Sequence, residues 1–110
     1  MRPFWRVEAF YFESKLAIED MLPALNQLGL WRFVERDNDR WGFYISSCAK
    51  RPEVGSVKIL EDDGRYVVNV KYESTDPQAP TDCAQMWKDL FERILPAIGA
   101  GNFEETSSYE

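Results

Sequence analysis

Ser56-Val57-Lys58-Ile59-Leu60-Glu61-Asp62-Asp63-Gly64-Arg65-Tyr66-Val67-Val68-Asn69-Val70-Lys71-Tyr72-Glu73 reads as two alternating runs around a tight turn. In the second run Tyr66, Val68, Val70 and Tyr72 share one face, and Asn69, Lys71 and Glu73 share the other. A period of 2 with one apolar face is the mark of a half-buried strand. Asp62-Asp63-Gly64 predicts a hairpin, with Gly64 supplying the positive φ of a short loop. A lone hairpin is marginal in water, so this one needs a sheet beside it and a layer over its apolar face.

The flanking sequence supplies both. Upstream, Leu30–Glu35 and Arg40–Cys48 are strand candidates joined by the turn Asp37-Asn38-Asp39. Trp41, Phe43 and Ile45 share one face of the second. The stretch from Lys50 to Gly55 reads as a loop. Phe4–Phe12 alternates as well: Trp5, Val7, Ala9 and Tyr11 point one way, and Phe4, Arg6, Glu8, Phe10 and Phe12 the other. Ser14 is then a candidate N-cap for a helix carrying Leu16, Ile18, Met21, Leu22, Leu25 and Leu28 at helical spacing. Pro23 predicts a kink or break in that helix, and Gly29 its end.

Downstream, Ser74–Pro80 is a polar loop. Asp82 with Gln85 resembles a capping box. Ala84, Trp87, Leu90, Phe91, Ile94 and Leu95 form an amphipathic stripe closed by Pro96 and Gly99. Residues 101–110 read as a mobile acidic tail after a single domain over 1–100. The expected order is β-α-β-β-β-β-α. The fold class is α+β: a two-layer sandwich, one mostly antiparallel sheet of about five strands with two helices on one face.

Composition narrows function. The chain has 110 residues, a net charge of −6 and no histidine. That is one domain's length. Net negative charge disfavours nucleic acid and anionic membranes as ligands and steers a protein toward basic surfaces. The cations alternate with acids and form no nucleic-acid stripe. No run approaches the ~20 apolar residues of a membrane span. The N-terminus lacks the apolar core of a signal peptide, so the expected location is cytoplasmic. Cys48 and Cys83 form no C-x-x-C. They read as small half-buried thiols near one end of the sheet, with a disulfide between them as the alternative.

With strand 1 running up and the helix returning, strand 2 also runs up. The turns after strands 2 and 4 then share the end where strand 1 finishes. Glu13, Glu35, Asp37, Asp39, Glu61, Asp62 and Asp63 gather there, outnumbering Arg36, Arg40 and Arg65. Turn chemistry accounts for the aspartates one by one. It does not account for both acidic turns sharing an end while Lys50 and Arg51 fall at the other. Phe10, Phe12, Val34, Tyr44 and Leu60 are expected on the uncovered sheet face near that rim, where aromatics within charge make an interface core.

Catalytic chemistry finds no support. Without histidine there is no Ser-His-Asp or Cys-His arrangement. Asp37-Asn38-Asp39-Arg40-Trp41-Gly42 starts like a calcium loop, but Trp41 and Cys48 occupy ligand positions. Asp62 ahead of Asn69-Val70-Lys71 has the spacing of a metal-dependent nuclease strand, without the converging carboxylates or basic groove. The expectation is a non-enzyme with no metal and no cofactor.

One compact domain, no catalytic set and a carboxylate cluster beside aromatics: this profile resembles the small acidic immunity proteins of bacterial toxin systems. The resemblance implies a basic protein partner such as a toxin domain, neutralised by occlusion of its basic cleft. Phage-encoded inhibitors that mimic nucleic acid share the profile. On this reading the partner-binding residues are Phe10, Phe12 and Tyr44 with the seven carboxylates. The alternatives are a secretion or folding chaperone holding a peptide on the open sheet face, a homodimer through that face, and a small-molecule-binding domain with a pocket lined by Trp5, Trp31 and Trp41.

Overall fold

A computed structural model describes residues 2–48 and 55–107. The chain is α+β, with one antiparallel sheet of six strands. The strands are β1 (Phe4–Glu13), β2 (Arg32–Asn38), β3 (Gly42–Cys48), β4 (Gly55–Asp62), β5 (Arg65–Ser74) and β6 (Gly101–Glu105). Their order across the sheet is β2-β3-β4-β5-β1-β6. Helix α1 (Ile18–Leu28) lies between β1 and β2. Helix α2 (Ala79–Asp89) follows β5 and leads through a wide turn at Leu90–Ile94 into the short α3 (Leu95–Ala97).

The β4–β5 hairpin sits in the middle of the sheet. Asp62 pairs with Arg65 around a two-residue loop, and Asp63 and Gly64 have φ of 49° and 83°. Positive φ at both loop positions matches the twist of the flanking strands. At the β2–β3 turn the Asn38 Oδ1 accepts the N–H groups of Arg40 and Trp41. Gly42, with φ 66°, then lets the chain re-enter the ladder. β1 runs the same way as β2, as the crossover requires, but pairs antiparallel with β5, on the other side of the meander.

One face of the sheet and both long helices form the main core. Phe12, Phe33, Ile45, Ile59, Val68 and Val70 meet Met21 and Leu25 of α1 and Trp87, Leu90 and Ile94 of the second helical stretch. This corrects the expected face of β1. Phe12 is fully buried in that core and Phe10 packs against it. Phe10 and Phe12 therefore lie on the helix-covered face, and Trp5, Val7, Ala9 and Tyr11 face the open side. Burial decides it: Phe12 stacks on Tyr66 across β5, and the Phe10 ring meets Phe91 edge-on at 5.3 Å. Arg6 and Glu8 share this face and are partly covered by Trp87. The Trp87 Nε1–H donates to Glu8 at 3.2 Å, and the Arg6 guanidinium lies 4.4 Å from the Trp87 ring centre.

The helices differ from expectation at their ends. Ser14 is not the N-cap of α1; Ala17 holds that position. The Ser14 hydroxyl instead donates to the Ile98 carbonyl and accepts the Leu16 N–H, tying β1 to the end of the helical stretch. Pro23 does not break α1. It is exposed, so the Glu19 carbonyl it leaves without a helical donor can turn to water. Asp82 lies in the first turn of α2, whose N-cap is Gln78, so the capping box does not form. In the wide turn the Leu95 N–H bonds the Leu90 carbonyl, five residues back. Pro96 follows and has no N–H to continue the tighter ladder. Gly99 ends the stretch at φ 64°, with its N–H on Pro96 and the Ala100 N–H on Leu95.

The expected tail is in part a strand. β6 pairs with the upper half of β1: Tyr11 opposes Glu104 and Phe10 opposes Glu105. The Thr106 N–H extends the ladder onto the Ala9 carbonyl. Residues 108–110 lie outside the described residues. So do Lys50 and Arg51, expected at the opposite end.

Candidate functional site: the acidic end of the sheet

Strand direction alone places β1, β2 and β4 finishing at one end and β3, β5 and β6 starting there. Glu13, Glu35, Asp37, Asp39, Glu61, Asp62 and Asp63 therefore share that end. The two acidic turns are two strands apart, about 10 Å at the usual strand spacing.

Pleating then divides these carboxylates by face. Glu35 pairs with Ile45, Asp37 with Phe43 and Glu61 with Tyr66, so all three lie on the helix-covered side. Helix α1 starts at the same end with Glu19 and Asp20 in its first turn, where carboxylates suit the positive end of the helix dipole. Tyr66 links the two groups. Its hydroxyl donates to the Leu16 carbonyl at 2.7 Å. Burial, and then Glu61 and Glu19, push its pKa up. The covered side of this end is thus an acidic ridge over the start of α1, with Glu19 and Asp20 added to the residues expected from the turns.

The open side is arranged differently. Asp62 accepts from the Tyr11 hydroxyl at 3.1 Å. The Arg65 guanidinium lies 4.0 Å from the Tyr11 ring centre and pairs with Glu104 at 3.0 Å. Burial raises the Tyr11 pKa, and the Asp62 bond adds to it. Here the acids are engaged by neighbours, whereas Glu35, Asp37 and Asp39 are exposed. Glu13 accepts from Asn102 at 2.6 Å.

Two aromatic rings stand exposed at this end, and neither was an expected anchor. Phe43, 38% exposed, lies across the ladder from Asp37. It shares the face of Ile45, as its parity predicts, but is not part of the buried core. Phe103, 42% exposed, meets Phe12 at 6.0 Å and Phe91 at 5.6 Å, at the outer end of an aromatic row that runs on to Phe10. It belongs to the segment expected as a tail. Of the expected anchors, Phe12 is fully buried and Phe10 partly so, and neither offers a free ring. Leu60, expected to be exposed, is also buried. Tyr44 remains half-exposed on the open face, edge-on to Trp41.

The tryptophans do not line one pocket. Trp31 packs on Phe33 on the covered side, Trp41 lies over the open face, and Trp5 is 66% exposed. Among the described residues no group of three or more Cys, Asp or Glu side chains is placed to hold a metal ion. No helix among them is long and apolar enough to cross a membrane. Cys83 is a buried thiol in the core, its pKa raised by burial; the Cys48 side chain lies outside what is described. No protein-family model and no curated protein sequence matches this chain.

Proposed function

We propose that this chain is a protein-binding inhibitor. On this reading it is an immunity protein that acts in the cytoplasm and occludes the basic cleft of a cognate toxin with its acidic end. It acts by contact, without catalysis and without a cofactor. The observation that supports this best is the acidic ridge of Glu19, Glu35, Asp37 and Glu61 beside Phe43, with Phe103 exposed at the same end. Exposed carboxylates act at long range, so they raise the association rate for a basic partner and suppress acidic ones. Exposed aromatic rings supply the short-range contact that slows dissociation. A cleft that binds phosphates is basic, and carboxylates spaced along a sheet end can occupy it in their place.

The test is affinity capture from the source cells, run in parallel with the wild type and with a variant carrying Asp37→Lys, Asp39→Lys, Asp62→Lys and Asp63→Lys. The expected result is a basic protein retained by the wild type and lost from the variant. It should also be released from the wild type by ~0.5 M salt, where exposed charges are screened within a few ångströms. A retained protein that is acidic, or one held equally by both baits, overturns the proposal.

A further inference from the structure

Alternating charge along a strand separates charge between the faces of a sheet, because successive side chains point to opposite sides. In β2, Arg32 and Arg36 share the open face with Val34, while Glu35 and Asp37 take the covered side. Lys58 of β4 and Lys71 of β5 join them on the open face. Four cations thus lie across the middle of one surface of a protein whose net charge is −6, and the acids of that face lie toward its ends, Glu73 beyond Lys71 at one and Glu13, Asp62 and Glu104 at the other.

We propose that the open face of the sheet is a docking surface for an extended acidic peptide segment, held by Arg32, Arg36, Lys58 and Lys71. This is independent of the acidic end. The floor between these cations is low. Lys58 pairs across the ladder with Ser46 on one side and Asn69 on the other, and Asn69 pairs with Ala9. Trp41 and Tyr44 stand along the upper side of that row, packed on buried Leu60. From β2 to β1 the row crosses four strand spacings, roughly 19 Å. About six extended residues span that distance.

The chemistry favours carboxylates. The Lys58 ammonium is 5.1 Å from the Trp41 ring centre, which fixes its position above the floor. Burial, and then the nearby charge of Lys71, lower the Lys58 pKa, and an anion bound between the two ammonium groups would offset their repulsion. Among the described residues the ion pairs seen are Arg6–Glu8 and Arg65–Glu104, and none involves the four cations named.

Single-stranded nucleic acid fits less well. Its binding draws on open aromatic faces for base stacking. Here Lys58 lies over Trp41 and Arg65 over Tyr11, and Trp5, the most exposed ring, is at the far end of β1. A second copy laid face to face would bring Lys58 and Lys71 into a contact rich in like charge.

The experiment is fluorescence anisotropy of a labelled octaglutamate peptide titrated with the full chain at low salt, with a labelled oligouridylate in parallel. Octaglutamate should bind saturably. Lys58→Glu with Lys71→Glu should weaken it about tenfold or more, while Asp37→Lys with Asp39→Lys should not weaken it. Arg32→Glu with Arg36→Glu changes only exposed side chains. It gives the same readout should the lysine variant fail to fold, as judged by thermal unfolding. No saturable binding of octaglutamate, or undiminished binding by folded variants of both pairs, overturns the proposal. Tighter binding of oligouridylate, lost in the same variants, also overturns it and assigns the face to nucleic acid.

Discussion

On the covered face of β1, Phe10 and Phe12 build a core; on its open face, Trp5, Val7, Ala9 and Tyr11 frame a surface. Both sets are apolar enough to be buried, and the neighbours decide how far each residue is: on the open face Ala9 is buried in a small cluster with Leu60 and Val67. Phe12 meets Tyr66 from β5 and Phe103 from β6, and helices close over it. Trp5 meets no such layer and stays 66% exposed. The same division runs through the charges. The covered side carries exposed acids at one end, and the open side carries Arg32, Arg36, Lys58 and Lys71. An acidic end and a row of cations across the middle of the open face suit two kinds of contact, and a net charge conceals both.

The largest expected effect breaks or keeps the assignment of β1. Phe12→Ala should cost about 3–5 kcal/mol, because it empties a fully buried ring site. Trp5→Ala should stay within about 0.5 kcal/mol. Denaturant unfolding of the two variants checks this. Equal losses would show that β1 buries its other face.

A smaller effect tests the sheet edge where the two surfaces meet. The Asn26 side chain donates to the Phe33 carbonyl at 3.1 Å and accepts the Phe33 N–H at 2.7 Å, standing in for a neighbouring strand. Asn26→Ala should cost about 1–2 kcal/mol and speed hydrogen exchange at the Phe33 amide. It should also leave a longer unpaired edge on β2 open to strand pairing between molecules. Unchanged exchange at Phe33 would remove Asn26 from this role.

The smallest effect separates the two sides of the acidic end by pH. Tyr11 has a raised pKa in the fold, so its contribution is complete below the unfolded value of 10.0 and is lost as pH rises through the folded value. The stability difference between wild type and Tyr11→Phe should therefore narrow above pH ~10. Absorbance titration should show Tyr11 and Tyr66 ionising later than free tyrosine. A Tyr11 that titrates normally would mean Asp62 is not held on the open side.

Much of this architecture is legible along the chain. The β2–β5 meander follows from alternation and from the turns at Asn38 and Gly64, and the second helical stretch from its apolar stripe. Strand direction then fixes which charges share an end. What local pattern does not carry is lateral order and helix coverage. Phe4–Phe12 has aromatic residues on both parities, so no period distinguishes its faces. Arg6 and Glu8 look like solvent residues until Trp87 arrives from a distant helix. Trp41 leaves the parity of β3 because it belongs to the turn and Gly42 resets the chain. Phe43 keeps the parity of Ile45 but stays outside the core cluster. β6 is five mostly exposed residues that gain order by pairing with β1, a partner nearly the whole chain away. The acidic end was readable as charge; its exposed rings were not, since Phe43 looks like core and Phe103 like tail.

The claim that the acidic end drives association is tested most directly by stopped-flow association rates with the captured partner. Rates are measured across a salt series for the wild type, the four-aspartate reversal and Phe103→Ala. The account predicts a wild-type rate that falls steeply with salt, a slow and nearly salt-independent rate for the reversal, and a wild-type association rate but faster dissociation for Phe103→Ala. A wild-type rate indifferent to salt, or a reversal that associates as fast as the wild type, would contradict it.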